Sequence, residues 1–232
     1  AAYVRGIQEN GIAACPKHFA VNSQELRRMA SNSVLDERTL RELYLTAFEI
    51  VVKEAHPKSI MSAYNKVNDT YANENHHLLV EILRKEWGFD GAVVTDWGGS
   101  NDHVEGVKNG STLEMPSPGL GGARKLLKAV AEGSLTEQEI DLRVDELLEL
   151  VLSTTAALEK EPRSFDEKAH HELAQRAAAE SIVLLKNEGG ILPLKHGKKV
   201  TLIGDFALTP RYQGAGSSMV NPTRVDSLKD AM

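Results

Sequence analysis

The sequence predicts an α/β protein: the C-terminal half of a (β/α)8 barrel of the TIM type, followed by the beginning of an α/β sandwich domain. Three observations carry this expectation. Short continuous apolar runs alternate with helix-period segments, the pattern of parallel strands buried on both faces. Three of the four runs end in polar or reactive residues, Lys17-His18, Tyr64-Asn65 and Asp96-Trp97, and a (β/α)8 barrel keeps its chemistry at the C-terminal strand ends. Such a barrel needs about 250 residues and eight strands, and roughly half of that precedes a polar break that contains Pro162. The expected organisation is a partial barrel over 1–158, a linker over 159–166 and the start of a second α/β domain over 167–232.

Each element has its own reason. Residues 2–10 read as the tail of a helix closed by Gly11, and Ile12-Ala13-Ala14-Cys15 is a short apolar run that leads to Lys17-His18. Over 36–55, Leu40, Leu43, Tyr44, Ala47, Phe48, Val51, Val52 and Ala55 recur at intervals of three and four, with Asp36 placed as N-cap. Ser59–Tyr64 is a second strand candidate, a helix over about 75–87 stops at Gly88, and Ala92–Thr95 is a third strand ending at Asp96. Thr112–Met115 is a weaker fourth, closed by Pro116. A helix over 119–132 follows, then a capping box, Thr136-Glu137-Gln138-Glu139, opens one that carries Ile140, Val144, Leu147, Leu148, Val151 and Leu152. Beyond the break come a helix over about 167–186, a Gly189-Gly190 turn and Val200–Gly204 as a first strand.

Composition narrows the function classes. The 232 residues carry 27 Lys+Arg against 33 Asp+Glu, a net charge of −6, with no basic clusters, so neither nucleic acid nor a membrane surface is an expected partner. Cys15 is the sole cysteine, which excludes a disulfide scaffold and a Cys-based zinc site. No apolar run reaches the length of about 18 residues that a transmembrane helix requires. The histidines show no ligand spacing, so no metal and no cofactor are expected. The chain opens with Ala1-Ala2-Tyr3, lacks an initiator Met and stops at Met232 within a helix-like segment; the expectation is a piece of a larger polypeptide. The compartment stays open, with a lean to the cytoplasm, as does a homo-oligomer.

Asp96 is the leading candidate for chemistry. A carboxylate at the end of a buried Ala-Val-Val-Thr strand can be a nucleophile, a general base, a metal ligand or the cap of the next helix. The neighbouring Trp97 favours a sugar, whose ring suits a large flat apolar face beside a carboxylate. Lys17 and His18 bring two donors to one strand end, well suited to hydroxyl-rich ligands, although a surface Lys beside a structural His has the same sequence. Gly214-Ala215-Gly216-Ser217-Ser218 lacks the Lys and the strand-to-helix setting of a phosphate loop.

Taken together these segments resemble the family 3 glycoside hydrolases, in particular the β-glucosidase branch. The resemblance rests on Pro16-Lys17-His18-Phe19-Ala20-Val21-Asn22, Ile60-Met61-Ser62-Ala63-Tyr64-Asn65, Gly88–Trp97 and Leu113-Glu114-Met115-Pro116, in that order. Ala179–Asn187 and Ile191-Leu192-Pro193-Leu194 look like the family's entry into its second domain. The resemblance implies a retaining, metal-free, exo-acting β-glucosidase with Asp96 as the nucleophile. It implies that Lys17 and His18 donate to sugar hydroxyls, and that Arg28, Met61, Tyr64 and Trp97 line the same subsite. Ser217 matches, more loosely, a second-domain serine that approaches the ligand. The implied partner is a small carbohydrate, a β-glucoside or a β-linked oligosaccharide. Retention needs a second carboxyl group about 5–5.5 Å from the first; in this family it is supplied from the second domain, past Met232. The remainder of its own polypeptide is therefore an expected partner, and the chain alone is expected to be incompetent.

Rival readings differ in what they require. A β-xylosidase or mixed glucoside/xyloside hydrolase differs only in the pocket around the sugar's C6, and phosphorolysis in place of hydrolysis also stays open. An N-acetylglucosaminidase of the same family would carry Gly-His-Gly where this chain has Ala20-Val21-Asn22. A non-catalytic carbohydrate-binding relative would tend to have lost Asp96, Lys17 and His18. A flavodoxin-like receiver with Asp96 as phospho-acceptor would need an acidic cluster near the first strand, and Ile12–His18 has none.

Overall fold

The computed structural model describes residues 1–157 and 164–232. The chain forms two compact units, Ala1–Ser164 and Phe165–Met232. Most of the linker expected over 159–166 lies outside the described residues.

Parallel pairing organises the first unit. The strands, in chain order, are β1 (Asn32–Ser33), β2 (Ser59–Met61), β3 (Lys66–Val67), β4 (Thr70–Tyr71) and β5 (Ala92–Val94). β2 and β5 run parallel, with Ser59, Ile60 and Met61 opposite Ala92, Val93 and Val94. The segment before β2 lies along its other edge. Met61 N–H donates to Pro16 O at 3.0 Å, Phe19 N–H to Met61 O at 2.8 Å and Ala63 N–H to Phe19 O at 2.7 Å. On the far side of β5, Leu113 N–H donates to Val93 O at 3.0 Å and Thr95 N–H to Leu113 O at 2.9 Å. Four consecutive segments thus lie side by side and point the same way.

The two outer segments are single bridges, Phe19 to Ser62 and Val94 to Leu113, where the sequence suggested strands. Among the described residues each pairs on one side only. Pro16 has no N–H to give, Val21 leaves the extended region at φ +63, and Pro116 closes the fourth segment. Gly91 shows how tightly β2 and β5 meet at their start, since a Cβ there would sit 2.4 Å from Lys58 O.

Helices follow the strands as expected, with one departure. Asp36 caps its helix by accepting from Thr39 N–H at 2.9 Å. The helix continues through Leu40–Leu45 in the wider π form before Thr46–Ala55 resumes the α form. The extra residue per turn moves Leu43, which the 3.6-residue spacing placed on the apolar face, out to 73% exposure. His77–Glu86 is also a π segment; it buries Leu78, Leu79, Ile82 and Leu83, and the chain leaves it through Gly88 at φ +73. Phe19 is the centre of the core, edge-on to Phe48 at 5.2 Å and to Trp87 at 6.0 Å.

Sequence reading missed three features here. The helix His103–Lys108 is capped by Asp102, which accepts from Val104 and Glu105 N–H. β1 pairs with β3, and β3 with β4 across Asn68 and Asp69, both at positive φ. The Asn-Asp pair is the sequence signal of that hairpin; two-residue strands carry no periodicity.

The capping box of the helix Glu137–Thr155 is present in full, with Thr136 Oγ1 accepting from Glu139 N–H at 3.2 Å and Glu139 Oε2 from Thr136 N–H at 2.8 Å. No residue of this helix is buried, its expected apolar stripe included. Thr136→Ala is expected to lower stability by about 1 kcal/mol. Urea denaturation checks it, and a loss below about 0.2 kcal/mol would mean that the cap does not hold this helix start.

The second unit departs further from expectation. Its helix Glu167–Ser181, capped by Asp166, stops short of 186. β-Branched Ile182 and Val183 disfavour its continuation, and Ile182–Leu185 are exposed. Asn187 closes the Gly189-Gly190 turn by bonding Leu192 through both N–H and C=O. Val200–Gly204 is not a strand: among the described residues of this unit no other strand exists to pair with it. Short 3-10 turns at Asp205–Ala207 and Gly216–Ser218 and the helix Leu228–Ala231 complete the unit.

Candidate active site

The parallel order delivers the strand-end residues to one place. Asp96 follows β5 with 9% exposure. Its Oδ1 accepts from the N–H of Trp97 at 2.7 Å, and its Oδ2 lies 3.2 Å from His18 Nε2. His18 sits between Pro16 and Phe19, the two residues whose backbone groups bond to Met61, so β2 fixes where the imidazole stands. The Lys17–His18 and Phe19–Ala20 peptide bonds are cis.

Tyr64, beyond the end of β2, donates its hydroxyl to Trp97 O at 2.8 Å. Arg28 lays its guanidinium over the Tyr64 ring, 4.6 Å from the centroid, and is held there by Glu25 Oε2 at 2.9 Å. Trp97, next in sequence to the carboxylate, is 53% exposed, available to a flat ligand.

The electrostatics follow from this layout. Burial lowers the His18 pKa below the ordinary histidine value; Asp96 opposes that shift, and Lys17 and Arg28 add to it. Burial raises the Tyr64 pKa, reinforced by hydrogen bonding and charge from Asp96, with Arg28 opposing. The carboxylate thus faces an imidazole and a phenol, two cations act on the imidazole, and the phenol remains a proton donor. The arrangement suits a reaction in which a carboxylate oxygen attacks while donors hold hydroxyl groups around it.

His18, Arg28, Tyr64, Asp96 and Trp97 are brought together, and Lys17 is close enough to act on the charge of His18. Met61 is half-buried on β2, opposite Val94. Ser217 belongs to the second unit, exposed in its 3-10 turn. Sequence reading missed Glu25 as the partner of Arg28; its spacing of three residues was the available signal. Among the described residues no group of three His, Cys, Asp or Glu side chains is placed to hold a metal ion. Among them, too, no helix is long and apolar enough to cross a membrane.

Comparison with known proteins points one way. Residues 1–150 match the glycosyl hydrolase family 3 N-terminal domain and residues 182–232 its C-terminal domain. Thermostable β-glucosidase B of Acetivibrio thermocellus is 48% identical over 230 residues, which cover 98% of this chain and 30% of that protein. The exo-α-(1→6)-L-arabinopyranosidase of Bifidobacterium longum is 42% identical over 238 residues, covering 99% of this chain and 31% of that one. Among solved structures, the family 3 β-glucosidase of Bifidobacterium adolescentis superposes with a TM-score of 0.92 at 40% identity, covering 98% of this chain and 33% of its own. β-Glucosidase 3B of Thermotoga neapolitana, in complex with glucose, gives 0.93 at 36% identity, with 99% and 33% covered. The chain therefore spans about a third of the length of these relatives.

Proposed function

The chain belongs to glycosyl hydrolase family 3, and on that premise we propose that it is part of a retaining, exo-acting β-glucosidase that removes terminal β-D-glucosyl residues. The observation that carries the reading is Asp96 at the end of β5, with Oδ1 bonded to Trp97 N–H and Oδ2 turned to His18. The first unit is read as the second half of a (β/α)8 barrel, supported by its four parallel segments with chemistry at one end. Residues 167–232 are read as the opening of the α/β sandwich domain.

In this mechanism Asp96 Oδ2 attacks the anomeric carbon, and the bond from that carbon to the leaving oxygen breaks. The leaving oxygen takes a proton from an acid that lies outside this chain. Water, losing its proton to the same group, then attacks the anomeric carbon and frees Asp96 as the carboxylate. Lys17, His18 and Arg28 bind sugar hydroxyls, Tyr64 lies beside the nucleophile, and Trp97 packs on the ring. Met61 lines the subsite. Donors that tighten as the oxocarbenium-like transition state forms supply the differential binding.

A second reading has a specific observation behind it. The Bifidobacterium relatives at 42% and 41% identity are arabinopyranosidases, and an α-L-arabinopyranoside presents its anomeric bond as a β-D-galactoside without C6 would. A β-D-xyloside, the substrate of a β-xylosidase, lacks C6 as well. Rates on aryl β-D-glucoside, β-D-xyloside and α-L-arabinopyranoside rank the three.

The test uses a protein carrying both family domains in full. A 2-deoxy-2-fluoro-β-D-glucosyl donor is expected to trap a glycosyl-enzyme, with the label mapped to Asp96 by mass spectrometry. Label on another carboxylate would move the nucleophile. A folded protein with neither label nor hydrolysis would leave a carbohydrate-binding module.

A further inference from the structure

Asp96 is anchored by its strand, and the glycine-rich segment that follows it is held at its two ends. Trp97 leads into Gly98-Gly99-Ser100, and Gly98 takes φ +76, so the backbone here is intrinsically permissive. The near end of the loop is pinned three times. Tyr64 Oη donates to Trp97 O at 2.8 Å, Gly98 N–H donates to Met115 O at 2.8 Å, and Gly99 N–H to Asp96 O at 2.8 Å. The far end is held by Glu74: its Oε1 accepts from Asn101 N–H at 3.0 Å and from Asp102 N–H at 2.6 Å.

Glu74 is an unfavourable residue for a merely structural task. It is half-buried, and its pKa is raised, first by that burial and then by the neighbouring charges of Asp102 and Glu105, with the two backbone N–H groups opposing. What holds it still is its neighbour. Asn73 is 1% exposed, and its Oδ1 accepts from Ser62 Oγ and Ser111 Oγ, each at 2.9 Å. Ser62 lies just beyond the end of β2 and Ser111 just before the fourth parallel segment. The turn Ala72–Glu74 is therefore fixed to the strand ends on one side and to the loop on the other.

We propose that Glu74 is a positioning residue for the Trp97 loop, setting the indole against the sugar through the two backbone N–H groups it accepts from. The inference rests on the glucosidase reading. Glu74 holds the far end of the loop, at Asn101 and Asp102, whereas Asp96 stays attached to β5, to His18 and to the near end, so loosening the far end acts on substrate binding rather than on the nucleophile.

The experiment takes the protein with both family domains in full and first establishes that a 2-deoxy-2-fluoro-β-D-glucosyl donor labels Asp96 in the wild type. Failure there overturns the functional reading, and the inference with it. With the label in place, Glu74→Ala is expected to raise KM for an aryl β-glucoside by about tenfold, as a small misplacement of a contacting group does. Its kcat should change less than about threefold. Glu74→Gln, which keeps an acceptor oxygen and removes the repulsion from Asp102 and Glu105, is expected to restore KM to within about twofold of wild type. A fall in kcat at unchanged KM is what a reduced folded fraction produces, and that result, or two unchanged constants, overturns the proposal. If Glu74→Ala does not fold, Glu74→Asp takes its place, since it shortens the reach by one methylene. A wild-type KM in that variant overturns the proposal equally.

Discussion

Asp96→Asn is expected to abolish glucoside hydrolysis in the protein that carries both family domains, with kcat lowered by at least about 10⁴-fold, while the fold survives. The amide keeps an oxygen to accept from Trp97 N–H, the 2.7 Å bond that Asp96 Oδ1 makes, so the loop has no reason to move. What disappears is the attacking oxygen. Asp96→Gly, which leaves room for a small anion, should recover turnover with azide and yield the α-glucosyl azide, because the single displacement then inverts the anomeric centre. A folded Asp96→Asn enzyme retaining more than about a tenth of wild-type kcat would sink the nucleophile assignment.

The same substitution reports on His18. Asp96 is the charge that opposes the burial-driven lowering of the His18 pKa, so its removal should move the imidazole titration, followed by NMR, further below the ordinary histidine value. The sign for stability is definite. Where a histidine is lowered in the folded state, the unfolded chain takes up the proton first, and stability falls as pH drops through the window between the two values. In Asp96→Asn that window extends to lower pH.

The second large effect lies away from the chemistry. Glu146, on the helix Glu137–Thr155, pairs with Arg84 Nη1 at 2.8 Å and Arg143 Nη2 at 2.8 Å, and accepts from Thr112 Oγ1. Arg84 also donates to Gly91 O at 3.3 Å and Gly110 O at 3.0 Å. Burial lowers the Arg84 pKa to about 10 and raises that of Glu146. The cluster joins the helix His77–Glu86, the approach to β5 and the segment before the fourth parallel run. Glu146→Ala should therefore cost about 3–5 kcal/mol in equilibrium denaturation, since it leaves two guanidinium groups facing each other with their side chains largely covered. Replacing Arg84, Arg143 and Glu146 together by apolar residues of similar size should cost clearly less. If the single and the triple variants lose the same stability, packing rather than charge pairing holds that corner.

Legibility of the fold tracked how local its cause was. β2, β5, the Asp36 cap and the Thr136 capping box each rest on a few adjacent residues, and each stands where the sequence placed it. The π turns were illegible because Leu40, Leu43 and Phe48 fit a 3.6-residue period as written; only packing shows that one extra residue per turn buries Leu45 instead. Val200–Gly204 has the composition of a strand, but a strand is a property of a pair. At the site, His18, Tyr64 and Asp96 announced themselves at strand ends, and their proximity follows from the parallel order. Arg28 needed Glu25 and the Tyr64 ring to explain it. Glu74 was invisible as an anchor because its partners are backbone N–H groups 27 and 28 residues away, which leave no mark in side-chain sequence.

Phe19 ties these two halves together. It is completely buried between Phe48 and Trp87, and it directly follows the histidine that faces Asp96. Heat therefore has no way to slacken the imidazole's seat ahead of the core. On a temperature ramp of the protein that carries both family domains, catalysis should be lost together with the near-ultraviolet dichroism of this core and not ahead of it. Reactivation on cooling should likewise be all-or-none, with no long-lived species that is packed but inert.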